Sequence, residues 1–373
     1  MAASENAYQE FYNEIMVKFG YPQSRYLRNL LEAVYSGEEA RLCLALPATA
    51  EEVANRLTLD VKAVTEQLDG MAAAGSIQRV SGPGDQFTYM PIFMPEVFCD
   101  SMMHSMGADW DEEYHTLKGE KNRRIADLFH EFFEKDWFRF ARTDELLHRR
   151  VEMLGGASAF LTFTVTPAWK ALEKCHADPP PEPGYDLRNV AAKAKEEGEK
   201  IYANVCACRV RARKSSAPTW TCGSMPARYL LPAPWTGHPK KTYKEWEPDE
   251  WLEMMGRCEE EFAMVHIGLP PMMYDICTCD TECCNIFYPL RTYAHCYEGL
   301  DKSPYRAVVD EAICKGQANC VKRCRFEAIS LKTDPVSKKR LAVVDAERCH
   351  GCGQCVLGCK IDGAIRLELA ANL

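Results

Sequence analysis

Residues 349–359 place four cysteines at the spacing C-x₂-C-x₂-C-x₃-C. In iron–sulfur proteins this spacing lets three thiolates hold one face of a cluster, while the fourth serves a neighbouring cluster. A structural zinc site normally separates two C-x₂-C pairs by a longer loop, which is missing from this run. The run therefore predicts an iron–sulfur site, and it predicts a second cysteine loop packed beside the first.

A less complete copy of the pattern precedes the run. Residues 308–331 align with residues 343–367, and three cysteines of each copy correspond: Cys314 with Cys349, Cys320 with Cys355, and Cys324 with Cys359. Paired valines at the start of each copy are β-branched strand signals. Each copy therefore predicts a strand, a cysteine loop, a short helix and a second strand. We expect the two copies to bury a shared interior that is largely inorganic.

Residues 303–368 resemble the bacterial two-cluster ferredoxins of the clostridial type. In that family each cluster takes three cysteines from one motif and the last cysteine of the other. The resemblance implies a [4Fe–4S] cluster held by Cys349, Cys352, Cys355 and Cys324. It implies a second cluster held by Cys314, Cys320 and Cys359.

The fourth ligand position of the second cluster falls on Gln317, which aligns with Cys352. Glutamine is a neutral donor and a poor replacement for thiolate on iron. The resemblance therefore implies a [3Fe–4S] cluster at this site, or a second [4Fe–4S] cluster with one labile iron. Alternatively, the site has degenerated and holds no metal, although this fold normally needs metal to be stable.

The residue after the last cysteine of each motif also departs from the family. Proline is usual there, whereas this chain has Arg325 and Lys360. A cationic neighbour would stabilise the reduced, more negative cluster and raise its reduction potential. Alternatively, both side chains point outward and belong to a docking face. The sequence leaves these two alternatives open.

The middle of the chain holds a second concentration of thiols. The cysteines concerned are Cys206, Cys208, Cys222, Cys277, Cys279, Cys283 and Cys284. They exceed what core packing requires, so we expect them to share one metal site, which Cys296 could join. The first interpretation is a third [4Fe–4S] cluster, and the second is a Cys₄ zinc site. The third is a redox-active disulfide between the adjacent Cys283 and Cys284.

Residues 1–95 have the helix, helix, helix, hairpin order of winged helix-turn-helix domains. Helical periodicity and a helix cap predict helices over 25–36, 49–57 and 61–74. Two alternating strands then flank a Gly-Pro-Gly turn at 82–84. The third helix carries more acidic than basic side chains, which DNA would repel. We therefore predict a docking or structural role for this domain, without nucleic-acid binding.

The predicted fold class is α+β with several domains. The winged-helix-like part is followed by a helical region, a Pro-rich linker, a cysteine-rich middle domain and a ferredoxin-like two-cluster tail: 96–178, 179–188, 189–300 and 301–373. The linker is predicted from the Pro-rich run at 179–183. Strong apolar periodicity predicts a helix over 121–155, and a further helix is expected over 189–201.

Charge is spread unevenly along the chain. The net charge is −9 overall, whereas residues 301–373 contain 13 Lys or Arg and 9 Asp or Glu, a net of +4. Such a basic tail on an acidic body favours protein partners with complementary patches, although it also fits an ordinary solvated surface. Residues 1–20 lack an export signal, and no apolar stretch is long enough to span a membrane. Cysteines in metal motifs then indicate the cytoplasm, as a reducing compartment.

The order of these parts resembles a group of iron–sulfur proteins of anaerobic bacteria, and the resemblance covers nearly the whole chain. The sequence has no dinucleotide fingerprint, phosphate loop or nucleophile motif. We therefore predict an electron-transfer component rather than a self-contained enzyme, with a protein redox partner or catalytic subunit such as a flavoprotein. The alternatives are a redox-sensing transcriptional regulator and a reductase whose middle cysteine site is catalytic.

Overall fold

The computed structural model describes residues 2–81, 86–140, 163–227, 243–269, 274–294, 300–333, 335 and 338–372. Helices and strands both contribute substantially, which confirms the predicted α+β class. Two compact units are present, and each is assembled from separate stretches of chain. The first contains residues 1–141, 204–215 and 229–244; the second contains 142–203, 216–228 and 245–373.

The helices and strands have the following bounds. The helices are α1 (Ala2–Phe19), α2 (Arg25–Val34), α3 (Gly37–Leu44), α4 (Ala50–Leu57), α5 (Val61–Ala73), α6 (Pro95–Ser105), α7 (Glu120–Phe132), α8 (Phe138–Phe140), α9 (Trp169–Lys174), α10 (Leu187–Glu196), α11 (Ala207–Ala212), α12 (Pro248–Phe262), α13 (Phe287–Pro289), α14 (Asn319–Arg323) and α15 (Gln354–Gly358). The strands are β1 (Ala48–Thr49), β2 (Ile77–Ser81), β3 (Phe87–Pro91), β4 (Trp110–Asp111), β5 (Thr116–Leu117), β6 (Phe163–Thr166), β7 (Ile201–Asn204), β8 (Cys222–Pro226), β9 (Tyr243–Trp246), β10 (Val265–Leu269), β11 (Tyr274–Cys279), β12 (Leu300–Asp301), β13 (Tyr305–Val309), β14 (Ile329–Thr333), β15 (Arg340–Val344) and β16 (Ile365–Leu369).

The predicted helices of the N-terminal segment and the two strands of the predicted hairpin are present, whereas the predicted turn at 82–84 lies outside the described residues. Thr49 and Glu52 form a reciprocal capping box that starts α4, and Asp60 caps α5 by accepting from Ala63 N–H. The left-handed Gly75 ends α5, where an added Cβ would lie 2.4 Å from Ser101 O. Strands β2 and β3 pair antiparallel, and β1 pairs with the other edge of β3.

Aromatic side chains fill the core of the first unit. Phe98 of α6 stacks against Tyr35 and packs at 5.2 Å, between ring centroids, from Phe129 of α7. After α7 the helical backbone widens into a π-helical turn, Phe133–Trp137, which leads into α8. The predicted helix over 121–155 is therefore present as far as residue 140, and the remainder lies outside the described residues.

The second unit contains most of a seven-stranded sheet with the order β12-β6-β10-β11-β8-β7-β9. Strand β10 pairs antiparallel with both β6 and β11, so the central strands lie side by side although far apart in sequence. Helices α10 and α12 pack together on a core that includes Trp251, Met255 and Ile276. This core fixes α12 and β10–β11, which carry several of the residues considered below.

One expectation for the middle of the chain needs correction. The helix predicted over 189–201 runs from Leu187 to Glu196 instead, since the left-handed Gly198 follows its end and Ile201 begins β7. Residues 179–188, predicted as a linker, lie within the second unit and contain a short 3₁₀ turn, Pro183–Tyr185, followed by the start of α10. The predicted middle domain, 189–300, contributes residues to both units.

The tail has the predicted strand, loop, helix, strand order in both halves. Its strands pair between the halves rather than within them. Strand β13 pairs antiparallel with β16, and β14 pairs antiparallel with β15. The first strand of each half thus lies beside the last strand of the other, and helices α14 and α15 pack together next to the two cysteine loops.

Candidate metal centres

The inner cysteine group comprises Cys324, Cys349, Cys352 and Cys355, the positions predicted to hold the intact cluster. The last three are 7%, 8% and 6% exposed, and Cys324 is partly buried. Burial, together with the neighbouring Cys324 and Cys349, raises the pKa of the Cys352 thiol to about 12. The pKa of Cys355 is also raised, by burial and by the other three thiols. The structure therefore brings Cys324, from the first motif, next to the cysteines of the second.

Backbone amides point at the sulfur atoms of this group. Ala328 N–H donates to Cys324 Sγ at 3.2 Å, and the Gln354 amide favours the thiolate form of Cys352. Amide donors stabilise a thiolate relative to a thiol, and such bonds help to set the potential of an iron–sulfur cluster. Crowded, buried thiols are costly to ionise unless a cation compensates them. This donor set therefore fits iron–sulfur ligation.

Two glycines shape the loop between Cys349 and Cys355. Gly351 has a φ of +70°, and a Cβ there would lie 2.1 Å from Tyr305 O. Gly353 has a φ of +79°, and its Cβ would lie 2.7 Å from Ala171 Cβ on α9. Both the left-handed backbone and the close approach require glycine at these positions. The loop is thereby held against β13 and α9.

The outer cysteine group comprises Cys314, Cys320 and Cys359, with Gln317 at the fourth predicted position. All four line one pocket that encloses about 370 Å³ of space outside the protein atoms, part of it open to solvent. Burial and then Cys359 raise the pKa of the Cys320 thiol. Gln317 is exposed, and Cys314 and Cys359 are partly buried. The four positions predicted for the second cluster thus converge, in a more open setting than the inner group.

Arg325 and Lys360 occupy different environments. The Arg325 side chain is directed inward, where Nε donates to Ala263 O at 2.9 Å and Nη2 donates to Phe262 O at 3.3 Å. It thereby caps the C-terminal end of α12, and its charge favours the thiolate form of Cys352. Lys360 is exposed and lines the outer pocket. One residue therefore fits the potential-tuning alternative, and the other fits the surface alternative.

The cysteine patch comprises Cys222, Cys277, Cys279, Cys283 and Cys284, all in the second unit. Cys222 Sγ lies 3.5 Å from Cys277 Sγ, across strands β8 and β11. Hydrogen bonds with Cys277 and Cys284, followed by burial, raise the pKa of the Cys279 thiol. Ile286 N–H donates to Cys284 Sγ at 3.4 Å. Four of the predicted middle ligands are therefore linked by successive pairwise contacts, and Cys283, next to Cys284 in the chain, is buried.

The spacing within the patch differs between its members. Two thiolates on one tetrahedral ion lie roughly 3.8 Å apart, given a metal–sulfur distance of about 2.3 Å. The Cys222 and Cys277 sulfur atoms, at 3.5 Å, are close to that value. Within the described ranges, however, no three His, Cys, Asp or Glu side chains are arranged to hold a single ion. The described cysteines form no disulfide, Cys283 and Cys284 included, and Cys296 lies outside the described residues.

Cys206 and Cys208 belong to the first unit, where they begin α11. Arg211 of the same helix is 1% exposed, and its Nη1 lies 2.6 Å from His130 Nδ1. Burial, followed by the charge of Arg211, lowers the pKa of His130 to about 4. The surroundings of α11 thus include a buried cation that the sequence pattern did not indicate.

The sequence pattern also missed a buried acid–base pair in the second unit. Glu259 and His266 are 0% and 1% exposed, and their side chains meet at 2.9 Å. They stand apart from the cysteine motifs in sequence, so no spacing rule could associate them with a metal site. Asp275, two residues before Cys277, was missed as well; burial and then Cys277 raise its pKa to about 7.

Comparison of the chain with protein-family models, curated proteins and solved structures gives no match. Across the described part of the chain, every helix is too short or too polar to cross a bilayer. The candidate sites therefore rest on the chemistry and geometry of the residues themselves.

Proposed function

We propose that this protein is an iron–sulfur electron-transfer component of an oxidoreductase system. The inner cysteine group would hold a [4Fe–4S] cluster, and the outer group would hold a [3Fe–4S] or labile [4Fe–4S] cluster. One observation carries most of the proposal. Helix α14, which leads into Cys324, packs on α15 of the second motif, and Cys359 of the second motif lines the same pocket as Cys314 and Cys320 of the first. This exchange is what two-cluster ligation requires.

The protein residues would hold and insulate the two centres differently. When bound, the clusters supply storage for one electron at a time. The inner group is covered by protein, which excludes water. The reduction potential of a cluster held there would therefore be set mainly by the fixed dipoles and charges of the surrounding protein. The outer group opens to solvent beside the exposed Gln317. Cys320 also contributes to the raised pKa of Cys355, so the groups are close enough to interact. Electrons would therefore be exchanged with a partner at the outer group and stored at the inner one.

The partner would be a protein with an acidic docking face, such as a flavoprotein reductase or another catalytic subunit. Lys315 and Lys360 are exposed at the rim of the outer pocket. Opposite charges at such a rim raise association rates and orient short-lived complexes. On the winged-helix-like part, Asp60 at the N-cap of α5 and Glu66 within α5 are exposed, and their negative charges would repel nucleic acid. This part would serve for docking or structure.

The cysteine patch would form a third centre, either a [4Fe–4S] cluster or zinc. Its thiols lie on β8, β11 and the turn after β11, so one sheet and one loop provide the ligands. Iron would extend the electron path beyond the inner group, and zinc would give the patch a structural role. The distinction matters because only iron adds a redox step.

The test is metal and sulfide analysis of the anaerobically purified full-length protein, with EPR of its oxidised and reduced forms. The proposal expects at least seven irons with matching sulfide, a [3Fe–4S] signal on oxidation, and reversible reduction. Protein that retains its fold but binds no iron would refute it. Tight, salt-sensitive DNA binding that changes on oxidation would instead support the regulator alternative.

A further inference from the structure

The cysteine patch brings two thiols into direct contact across neighbouring strands. Cys222 begins β8 and Cys277 lies in β11, and their sulfur atoms are 3.5 Å apart. Both side chains are partly exposed, whereas Cys279, Cys283 and Cys284 are buried. The pair is therefore the most accessible part of the patch.

An irregular register between the two strands produces this contact. Ile276 pairs with Ser224, whereas Thr278 N–H donates to Thr221 O at 3.2 Å. Between these two points β11 advances by two residues and the segment that contains β8 advances by three. The β8 side thus carries one extra residue, which is the definition of a β-bulge.

Gly223 supplies the backbone of the bulge. Its φ of +56° is left-handed, a conformation that glycine adopts without steric cost and that one type of bulge requires. With Gly223 as the extra residue, Cys222 stands opposite Cys277. Because a bulge changes the direction of neighbouring side chains, the Cys222-Gly223 sequence itself directs one thiol at the other.

The alternation of side chains along β11 places the pair away from the hydrophobic core. Ile276 belongs to the core that α10 and α12 share, and Thr278 Oγ1 donates to Met255 Sδ of α12 at 3.1 Å. Successive side chains of a strand point to opposite faces of the sheet. Cys277 therefore points to the face opposite this core.

The strand spacing suits a bond between the two sulfur atoms. Opposed residues of an antiparallel pair have Cα atoms about 4.5–5.5 Å apart, which lies within the range of about 4.4–6.8 Å that disulfides span. Closing the contact from 3.5 Å to a bond requires the sulfur atoms to approach by about 1.5 Å. Rotation of the two side chains supplies this movement, because the backbone spacing is already suitable.

We infer that Cys222 and Cys277 form a reversible disulfide by exchange with low-molecular-weight disulfides. A thiolate of the pair attacks one sulfur atom of the substrate, the substrate S–S bond breaks, and its other half takes up a proton and leaves as a thiol. The second cysteine attacks the mixed disulfide and releases the remaining half, also as a thiol. The pair loses two electrons and two protons, and the substrate gains both.

This inference goes beyond electron transfer through the inner and outer groups and needs neither of them. It also gives the patch an alternative to the third metal centre. A bond between Cys222 and Cys277 removes two of the thiolates that such a centre would use. The contact between the two sulfur atoms, within a patch where no described group is arranged to hold a single ion, favours the disulfide.

The first measurement uses the anaerobically purified full-length wild type. The protein is equilibrated with a series of ratios of oxidised to reduced glutathione, quenched with acid, alkylated and digested for mass spectrometry. Peptides joined through Cys222 and Cys277 should appear as the share of oxidised glutathione rises and should disappear in excess dithiothreitol. Their absence at every ratio, or a link from either cysteine to Cys279, Cys283 or Cys284 in their place, would overturn the inference.

The second measurement traps the intermediate. Cys222→Ser removes one partner, so a glutathione adduct should accumulate on Cys277, and Cys277→Ser should leave the adduct on Cys222. Cys175→Ser, outside every motif, should form the link as the wild type does. Failure of both patch variants to form an adduct would contradict the exchange. If these variants do not fold, the wild-type measurement still decides.

Two glycine variants test the role of the bulge. Gly223→Ala penalises the left-handed backbone that sets Cys222 opposite Cys277, so at a fixed glutathione ratio the ratio of linked to unlinked chains should fall about tenfold. Gly198→Ala introduces the same type of strain at a φ of +67°, with open space around the new methyl group and outside the sheet. It should leave linking unchanged. Equal linking in the two variants would overturn the assignment of this pairing to the bulge.

Metal analysis distinguishes this inference from the proposed function. Zinc or iron that the wild type holds besides the inner and outer centres, and that Cys222→Ser loses, would overturn the inference alone. Wild-type protein without iron would refute the proposed function, and the glutathione series would still report on the disulfide.

Discussion

The two halves of the tail share one pattern, yet the protein treats them differently. In the inner half, residues 340–369, the cysteine loop is covered by α9 and by the end of α12. In the outer half, residues 305–333, the equivalent loop lines a pocket that opens to solvent. Gln317, which stands where the pattern expects a fourth cysteine ligand, belongs to this outer, more open half. The two halves thus share one backbone pattern, and the ligand replacement falls in the half whose cysteine loop is less buried.

Aligned residues of the two loops show this most directly. Gly353 and Ala318 both have left-handed backbones, with φ values of +79° and +66°. Gly353 meets Ala171 closely, so a side chain has no room there. Ala318 lines the pocket instead, and its methyl group is accommodated. Similarly, His350 is buried and stacks on Phe326 at 4.2 Å, whereas the aligned Lys315 is exposed.

The largest expected effect is the loss of the inner centre in Cys355→Ser. Serine is a weaker iron ligand than thiolate, and the change removes one of four buried sulfur atoms. We expect about four irons to be lost, together with the associated reduced-state EPR signal and much of the stability of the second unit. Metal analysis and thermal unfolding measure both effects.

Cys175→Ser is the matched control, since Cys175 is partly buried and lies outside every motif. It should keep the wild-type iron content. Equal iron in Cys355→Ser and wild type would contradict the assignment of the inner group.

The next largest expected effect is a gain of iron at the outer centre. Gln317→Cys restores the missing thiolate at an exposed position, where the new side chain disturbs little packing. We expect the oxidised [3Fe–4S] signal to disappear and the iron content to rise by about one per chain. Gln317→Ala should retain the [3Fe–4S] signal. If Gln317→Cys gained no iron, the pocket would not be a ligand site.

A reciprocal pair of substitutions tests the loop comparison without changing any ligand. Gly353→Ala forces a methyl group against Ala171 and into a left-handed backbone, so we expect about 2–3 kcal/mol of destabilisation. Ala318→Gly relieves the same backbone strain and should change stability by no more than about 1 kcal/mol, in the stabilising direction. Urea unfolding of the loaded protein measures both values. Equal costs would mean that the two halves are not packed differently.

The sequence predicted the local structure of the tail well, because cysteine spacing and paired valines encode the loops and strands directly. It also predicted α4 and α5, whose caps at Thr49 and Asp60 are local signals. It missed the early end of α10, since a single glycine after a strongly helical run decided the boundary. Contacts between residues that are far apart in the sequence were harder still to predict. The pairing of β13 with β16 depends on contacts between distant residues.

The candidate sites show the same limit. The predicted exchange of Cys324 and Cys359 between the halves came from a resemblance, and the spacing alone did not determine it. The sequence also did not show that Cys206 and Cys208 belong to a different unit from Cys222. Cysteines that are close along the chain need not belong to the same compact unit. Glu259 and His266 carried no sequence signal, since a buried ion pair is recognisable only through its contacts.

The smallest expected effect comes from the cations that follow each motif. Arg325→Gln removes a charge that favours the Cys352 thiolate and that caps α12 through Ala263 O and Phe262 O. We expect the inner centre's potential to fall, because the reduced form loses a stabilising cation, and the stability to decrease by about 1 kcal/mol.

Lys360→Gln, at the aligned exposed position, should leave the inner potential and the stability unchanged. It should slow reduction by an acidic protein partner at low salt, since exposed charges act mainly on association rates. Redox titration and stopped-flow reduction at two ionic strengths separate these effects. A fall of the inner potential in Lys360→Gln, or none in Arg325→Gln, would show that position in the repeat, rather than burial, determines what each cation does.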